Sequence, residues 1–179
     1  MRAGDREAYA VLVRLHAAQA HRAARLFGPE ADAEDVVQLA FIKAYQALPR
    51  FRGGAPFRPW LLHIVANEAK NAARAARRRD AATQRLAALD HTKPGGDPTA
   101  NTLSTERRAE LVAALRELPD AQQRVVVCRY LLDLDEAETA AVLGWRRGTV
   151  KSRLHRALAT LRTRLSDVEP TVREAEHER

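Results

Sequence analysis

Lys151 and His155 stand four residues apart near the C-terminal end of the chain, as do Ser152 and Arg156, with Thr149 and Arg153 on their flanks. On a helix that spacing gathers the four onto one face. Short polar and cationic side chains in such a row suit the acceptors that base edges present in the major groove of duplex DNA. A structural helix with a solvated basic face would look similar. Three neighbouring features favour the groove reading: a short helical segment just upstream, a glycine turn at Gly144, and no acid between residues 146 and 164.

A second row, Asn67, Lys70, Asn71 and Arg74, recurs at the same helical spacing beside Arg58 and Trp60. Asparagine amides both donate and accept, which fits the edges of unpaired bases, while Lys and Arg steady phosphates. The preceding loop carries Phe51 and Phe57 as well as Trp60, so an aromatic surface stands ready for a base drawn out of its stack. Such extrusion costs a few kcal/mol. A polar outer helix side with no ligand would read the same way, and Trp60 alone fits a core position at least as well. A third group, Asp32, Glu34 and Asp35 with Gln38 and Lys43, opens another helix. Acids there complement the helix dipole; they also make a strip on which a basic protein could dock, and composition does not choose between the two.

Charge is concentrated on these rows. Residues 50–79 hold eight Lys/Arg against one acid and residues 146–164 hold seven against none, so each segment carries +7, the same as the 179-residue chain as a whole. Everything else sums to −7. Clustered cations of this kind favour an acidic polymer, because binding phosphate releases condensed counterions.

Enzyme chemistry is not expected. The six histidines include no HExxH pair, the single cysteine cannot complete a metal site or a disulfide, and no GxxxxGK[ST] loop is present. No metal or other cofactor is anticipated. Cys128 follows Val125-Val126-Val127 and reads as a small buried hydrophobe in a reducing compartment. With no run near the roughly 18 apolar residues of a spanning helix, and a polar start at Met1-Arg2-Ala3-Gly4-Asp5, a cytoplasmic protein without membrane insertion is expected.

The elements that must position these rows are helices, since apolar residues recur at three and four and no stretch alternates as a half-buried strand does. An all-α fold of two small domains follows. One helix is expected from about Asp5 to Phe27, a second from Ala33, capped by Asp32, to Leu48, and a third from Trp60 to about Arg79. Residues 81–105 read as a flexible linker around Pro94-Gly95-Gly96. Fully extended it would reach about 85 Å, more than two turns of duplex, so the domains could occupy separated sites.

The second domain, residues 106–166, should open with a helix to Leu118, continue from Pro119-Asp120 to about Leu131, and form a short helix from Asp135, with Glu138 completing a capping box, to Leu143. A last helix on Val150, Leu154, Ala157, Leu158, Leu161 and Leu165 completes a helix-turn-helix. Residues 167–179 read as a frayed tail.

The stretch Asp32-Ala33-Glu34-Asp35-Val36-Val37-Gln38 through Phe41-Ile42-Lys43-Ala44-Tyr45, with Pro56-Phe57-Arg58-Pro59-Trp60-Leu61 and Ile64-Val65-Ala66-Asn67, resembles region 2 of sigma-70 family factors of the extracytoplasmic-function group (ECF, group IV). Leu118-Pro119-Asp120-Ala121-Gln122-Gln123-Arg124, residues 136–143, and Gly148-Thr149-Val150-Lys151-Ser152-Arg153-Leu154-His155-Arg156-Ala157 resemble region 4. The resemblance implies a sigma factor that joins RNA polymerase core, recognises the −10 and −35 promoter elements and melts DNA. It implies residues 1–80 as the region 2 domain and places Asp35, Gln38, Phe41 and Lys43 in core binding. Arg58, Trp60, Asn67, Lys70, Asn71 and Arg74 then fall at the −10 element, and Thr149, Lys151, Ser152, Arg153, His155 and Arg156 at the −35 element. Promoter DNA and polymerase core are the implied partners, with an anti-sigma factor as a further one. Two departures stand out: Leu39 where the family usually has an acid, and Arg146 where Ser or Thr would cap the recognition helix. The rival readings are a free-standing helix-turn-helix regulator, which would bind duplex tightly without polymerase, and a basic module for RNA or a membrane surface, which leaves the order of the two blocks unexplained.

Overall fold

The computed structural model describes residues 6–51, 56–87 and 110–166, with side chains in the second span as far as 81. Gly53-Gly54, the greater part of the expected linker and the expected tail lie outside the described residues. Within them every element is a helix and there is no strand.

Helix α1 runs from Arg6 to Phe27, with Glu7 in its first turn and Arg25 in its last, both favourable to the helix dipole. It buries Ala20, Ala23, Ala24 and Phe27, a helical stripe of mostly small residues that lets other backbones come close. The chain then turns at Gly28. A Cβ there would sit 3.0 Å from the Ala69 carbonyl oxygen and 3.2 Å from the Ala69 Cβ, so the closeness of the first and third helices depends on its absence.

Helix α2 spans Ala33–Ala47 and buries Ala33, Val36, Val37, Ala40, Phe41 and Ala44. The expected Asp32 cap does not form: Asp32 ends a 3-10 turn, Glu30–Asp32, at φ −94 and ψ 1, whereas a capping side chain needs extended backbone to reach the first free N–H groups. Its carboxylate instead lies 3.7 Å from Arg79. Helix α3 spans Phe57–Ala87, three residues earlier and eight later than expected. Pro59 does not delay its start, because the first turn of a helix has no partner for the N–H that proline lacks. Residues 81–87, read as linker, therefore continue this helix. Leu61, Leu62, Val65, Ala66 and Ala69 form its buried stripe, and the three helices pack mutually.

The C-terminal unit comprises α4 (110–116), α5 (Asp120–Val126), which widens into a π turn over Val127–Leu131, α6 (Glu136–Leu143) and α7 (Arg147–Ser166). The capping box forms as expected. Asp135 accepts from the Glu138 N–H at 2.8 Å while the Glu138 carboxylate accepts from the Asp135 N–H at 2.9 Å. Gly144 closes α6 in the left-handed conformation, φ 68 and ψ 33, open to glycine without a Cβ penalty. Ala114, Leu118, Val126, Ala157 and Leu161 pack as one cluster beneath α7, and Val125, Ala140 and Val150 as another at the helix-turn-helix.

The two units are not apart. Val127, Cys128, Leu132, Leu134 and Val142 belong to the same buried cluster as the α1–α3 core. Between the two units the main packing is of α3 against α6. The described conformation thus holds together the two parts that the linker would let separate.

Candidate nucleic-acid interface

Helix α7 buries Val150, Ala157 and Leu161 on one side and exposes Lys151, Ser152, His155 and Arg156 on the other. This is the four-residue row the spacing predicted. Ser152 Oγ donates to the Thr149 carbonyl at 3.2 Å, and Thr149 itself is half-buried. Arg153 lies apart from this exposed row: its guanidinium is 4.0 Å from the centroid of the Trp145 ring, and the side chain is half-buried. Stacked there, it braces the turn before α7. Arg146 precedes the helix and its carbonyl accepts the Thr149 and Val150 N–H groups at 2.9 and 3.1 Å, so the helix starts without a Ser or Thr cap.

On α3, Asn67, Asn71 and Arg74 are exposed and Lys70 is half-buried, along one face opposite Val65 and Ala69. Asn67 Nδ2 lies 3.0 Å from His63 Nε2, and His63 Nδ1 lies 2.8 Å from the Val142 carbonyl of α6. A carbonyl only accepts, so Nδ1 carries the hydrogen and, in the neutral ring, Nε2 accepts from Asn67. Arg58, on the first turn of α3, engages the C-terminal unit. Its guanidinium donates to the Leu132 carbonyl at 2.8 Å and the Asp133 carbonyl at 3.4 Å, and lies 3.6 Å from the Glu138 carboxylate. Trp60 joins a cluster with Phe51 and Phe57, at centroid distances of 4.7 and 5.4 Å, half-buried and not a free platform. His16 sits 5.3 Å from the Phe57 ring. Burial pulls the His16 pKa below the ordinary imidazole value, against a hydrogen bond to Gln19 that raises it, and the nearby Arg58 charge adds to the lowering.

Along α2, Asp35 and Gln38 are exposed, and Gln38 donates to Glu34 at 3.1 Å. Phe41 is only 8% exposed and lies in the core, so it cannot contribute its side chain to a docking surface. Lys43 is exposed yet paired: its Nζ is 2.7 Å from Glu68, a largely buried acid of α3 that sequence reasoning passed over. The apolar side chains on the outer strip are Leu39, 42% exposed, and Ile42, 54% exposed. Their positions, one and four residues after Gln38 and off the buried stripe, were the available signal. Among the described residues no three His, Cys, Asp or Glu side chains come together to hold a metal.

This arrangement is shared. A family model described as Sigma-70 region 2 matches residues 12–79, and one described as Sigma-70, region 4 matches residues 108–161. The ECF RNA polymerase sigma-E factor of Escherichia coli (strain K12) is 33% identical over 177 residues, covering 95% of this chain and 91% of that protein. The ECF RNA polymerase sigma factor SigM of Mycobacterium tuberculosis is 38% identical over 160 residues, covering 89% and 78%. Among solved structures, CnrH in complex with the cytosolic domain of CnrY superposes with a TM-score of 0.65 at 32% identity, covering 92% of this chain and 91% of that one. The sigma factor RpoE of Bartonella quintana, in complex with the anti-sigma factor NepR, gives 0.60 at 25% identity, covering 87% and 94%. The chain belongs to the sigma-70 family, in its ECF group, and is an RNA polymerase sigma factor.

Proposed function

We propose that this sigma factor directs polymerase core through three separate surfaces. The outer strip of α2, Asp35 and Gln38 with Leu39 and Ile42, docks on core. The α3 row of Asn67, Lys70, Asn71 and Arg74 takes the unpaired −10 strand, with Arg58 and the aromatic cluster around Trp60 beside it. Lys151, Ser152, His155 and Arg156 read the −35 duplex from α7. The observation that carries this reading is the pair of exposed cationic helix faces, one on each family-matched unit, each backed by a buried apolar stripe. The protein acts by binding energy alone and catalyses no reaction.

It works beside the chromosome, in the cytoplasm; none of the described helices is long and apolar enough to cross a membrane. An anti-sigma factor is the second protein partner, supported by the likeness to RpoE bound to NepR. Reconstitution with core polymerase on a promoter library, scored by run-off transcripts, tests the whole. Initiation from a discrete promoter set is expected, and none from any template would refute it. A free-standing regulator would instead bind duplex tightly without polymerase, on a two-fold site.

A further inference from the structure

Among the described residues Glu68 is the buried charged side chain, 9% exposed, and its partner is Lys43, whose Nζ lies 2.7 Å away. Each member stands at a boundary. Lys43 falls between exposed Ile42 of the α2 docking strip and buried Ala44, and Glu68 between exposed Asn67 of the α3 row and buried Ala69. The pair therefore ties the edge of one proposed surface to the edge of the other. A second pair, Asp32 just ahead of α2 with Arg79 of α3 at 3.7 Å, joins the same two helices. Asp32 and Lys43 are eleven residues apart, as are Glu68 and Arg79, about 16 Å or three turns of helix, so both pairs fall on the facing sides of an antiparallel α2 and α3. The charges run minus then plus along α2 and plus then minus along the facing stretch of α3. That order suits one alignment of the two helices. The apolar contact around the pairs, with Ala40, Ala44, Ala66 and Ala69 in one cluster, supplies adhesion that has no direction. A short charge-assisted hydrogen bond does have direction.

From this arrangement we infer that Glu68 is a positioning residue: by holding Lys43 it fixes the rotation and register of α3 on α2, so that a docked α2 presents Asn67, Lys70 and Asn71 to the unpaired strand. The inference rests on the docking role proposed for α2 and the −10 role proposed for α3. Lys43, which the resemblance places in core binding, acts here through Glu68. Replacing a buried ion pair by apolar side chains of similar volume often leaves stability unchanged, so alignment and stability can be measured apart.

The test compares Glu68→Leu and Glu68→Gln with the parent chain, each assembled with polymerase core on one promoter drawn from the library. The thermal midpoint of the free chain, its affinity for core, and the rate of opening from a fluorescent adenine analogue in the −10 element are read together. Glu68→Leu replaces the buried carboxylate by an apolar side chain and frees Lys43 to water, so the midpoint should hold. Affinity for core should stay within about twofold while opening slows about three- to thirtyfold, the range of a lost coupling between packed elements. Glu68→Gln, whose amide oxygen still accepts from Lys43, should fall between the two, and it remains readable if the leucine variant does not fold. Lys43→Met added to Glu68→Leu should slow opening no further, since the two residues act as one pair. Positioning is overturned if Glu68→Leu opens the promoter at the parental rate, if opening slows only where the midpoint or the core affinity falls with it, or if the Lys43 and Glu68 effects add. Asn67→Ala is measured beside them. If it too opens normally, the −10 role of α3 fails and the inference with it; slow opening in Asn67→Ala with normal opening in Glu68→Leu removes positioning alone.

Discussion

Lys151 and Arg153 are two residues apart, both cationic, and stand in different surroundings. Lys151 is exposed on the reading row with Arg156, whereas Arg153 lies against Trp145. Removing Lys151 or Arg156 should therefore cost about 1–3 kcal/mol per lost base contact on the cognate −35 duplex and much less on a scrambled one. Arg153→Ala should behave otherwise. A cation–π contact of about 0.5–2 kcal/mol holds the turn before α7, so its loss should lower the melting temperature and weaken cognate and scrambled duplexes alike. Competition titrations on both duplexes, with thermal melts, separate the two; a sequence-selective loss in Arg153→Ala would return that residue to the reading row.

Helices were legible where their causes are local. The Asp135–Glu138 capping box, the glycine stop at Gly144 and the apolar stripe of α7 all lie within a few residues of what they determine. The start of α3 was less so, since Pro59 reads as a stop anywhere but in a first turn. Phe41 illustrates a finer limit. A motif places it in the docking helix, and only packing shows that its ring faces the core. Nor does periodicity reveal that Leu132, Leu134 and Val142 complete a core belonging largely to the other unit, because an apolar residue does not carry the address of its partner. The contact of α1 with α3 gives a direct test at this scale. Gly28→Ala places a methyl 3.0 Å from a backbone oxygen that cannot move aside cheaply, and should destabilise the fold by about 1–3 kcal/mol. Denaturant melts measure it, and an unchanged midpoint would mean that the helix ends adjust.

Across the whole molecule, acid should loosen the assembly in two stages. His16 has a folded pKa below its unfolded value, so the unfolded chain binds more protons: stability is complete above the ordinary imidazole range and lost as pH falls through it towards the lower folded value. Its neighbours Phe57 and Arg58 connect α1 to the contact with α6, so this loss should be felt where the two units meet. Asp135 titrates in a lower window. Its carboxyl is held below the usual carboxylate value, first by the Glu138 N–H, so the α6 cap is intact above that value and lost as pH falls through the folded one. Thermal melts between about pH 7.5 and 5.5 should show the first stage, and His16→Asn should flatten it; an equal slope in the variant would exclude His16 as the cause.

Cys128 is fully buried in the cluster that both units share, and burial pushes its thiol up to about 12. The thiolate is the form that attacks alkylating reagents, so this lone thiol is shielded twice, by access and by protonation. Any event that pries the halves asunder would uncover it, and its rate of modification becomes a natural clock for how often this molecule gapes before it ever meets a promoter.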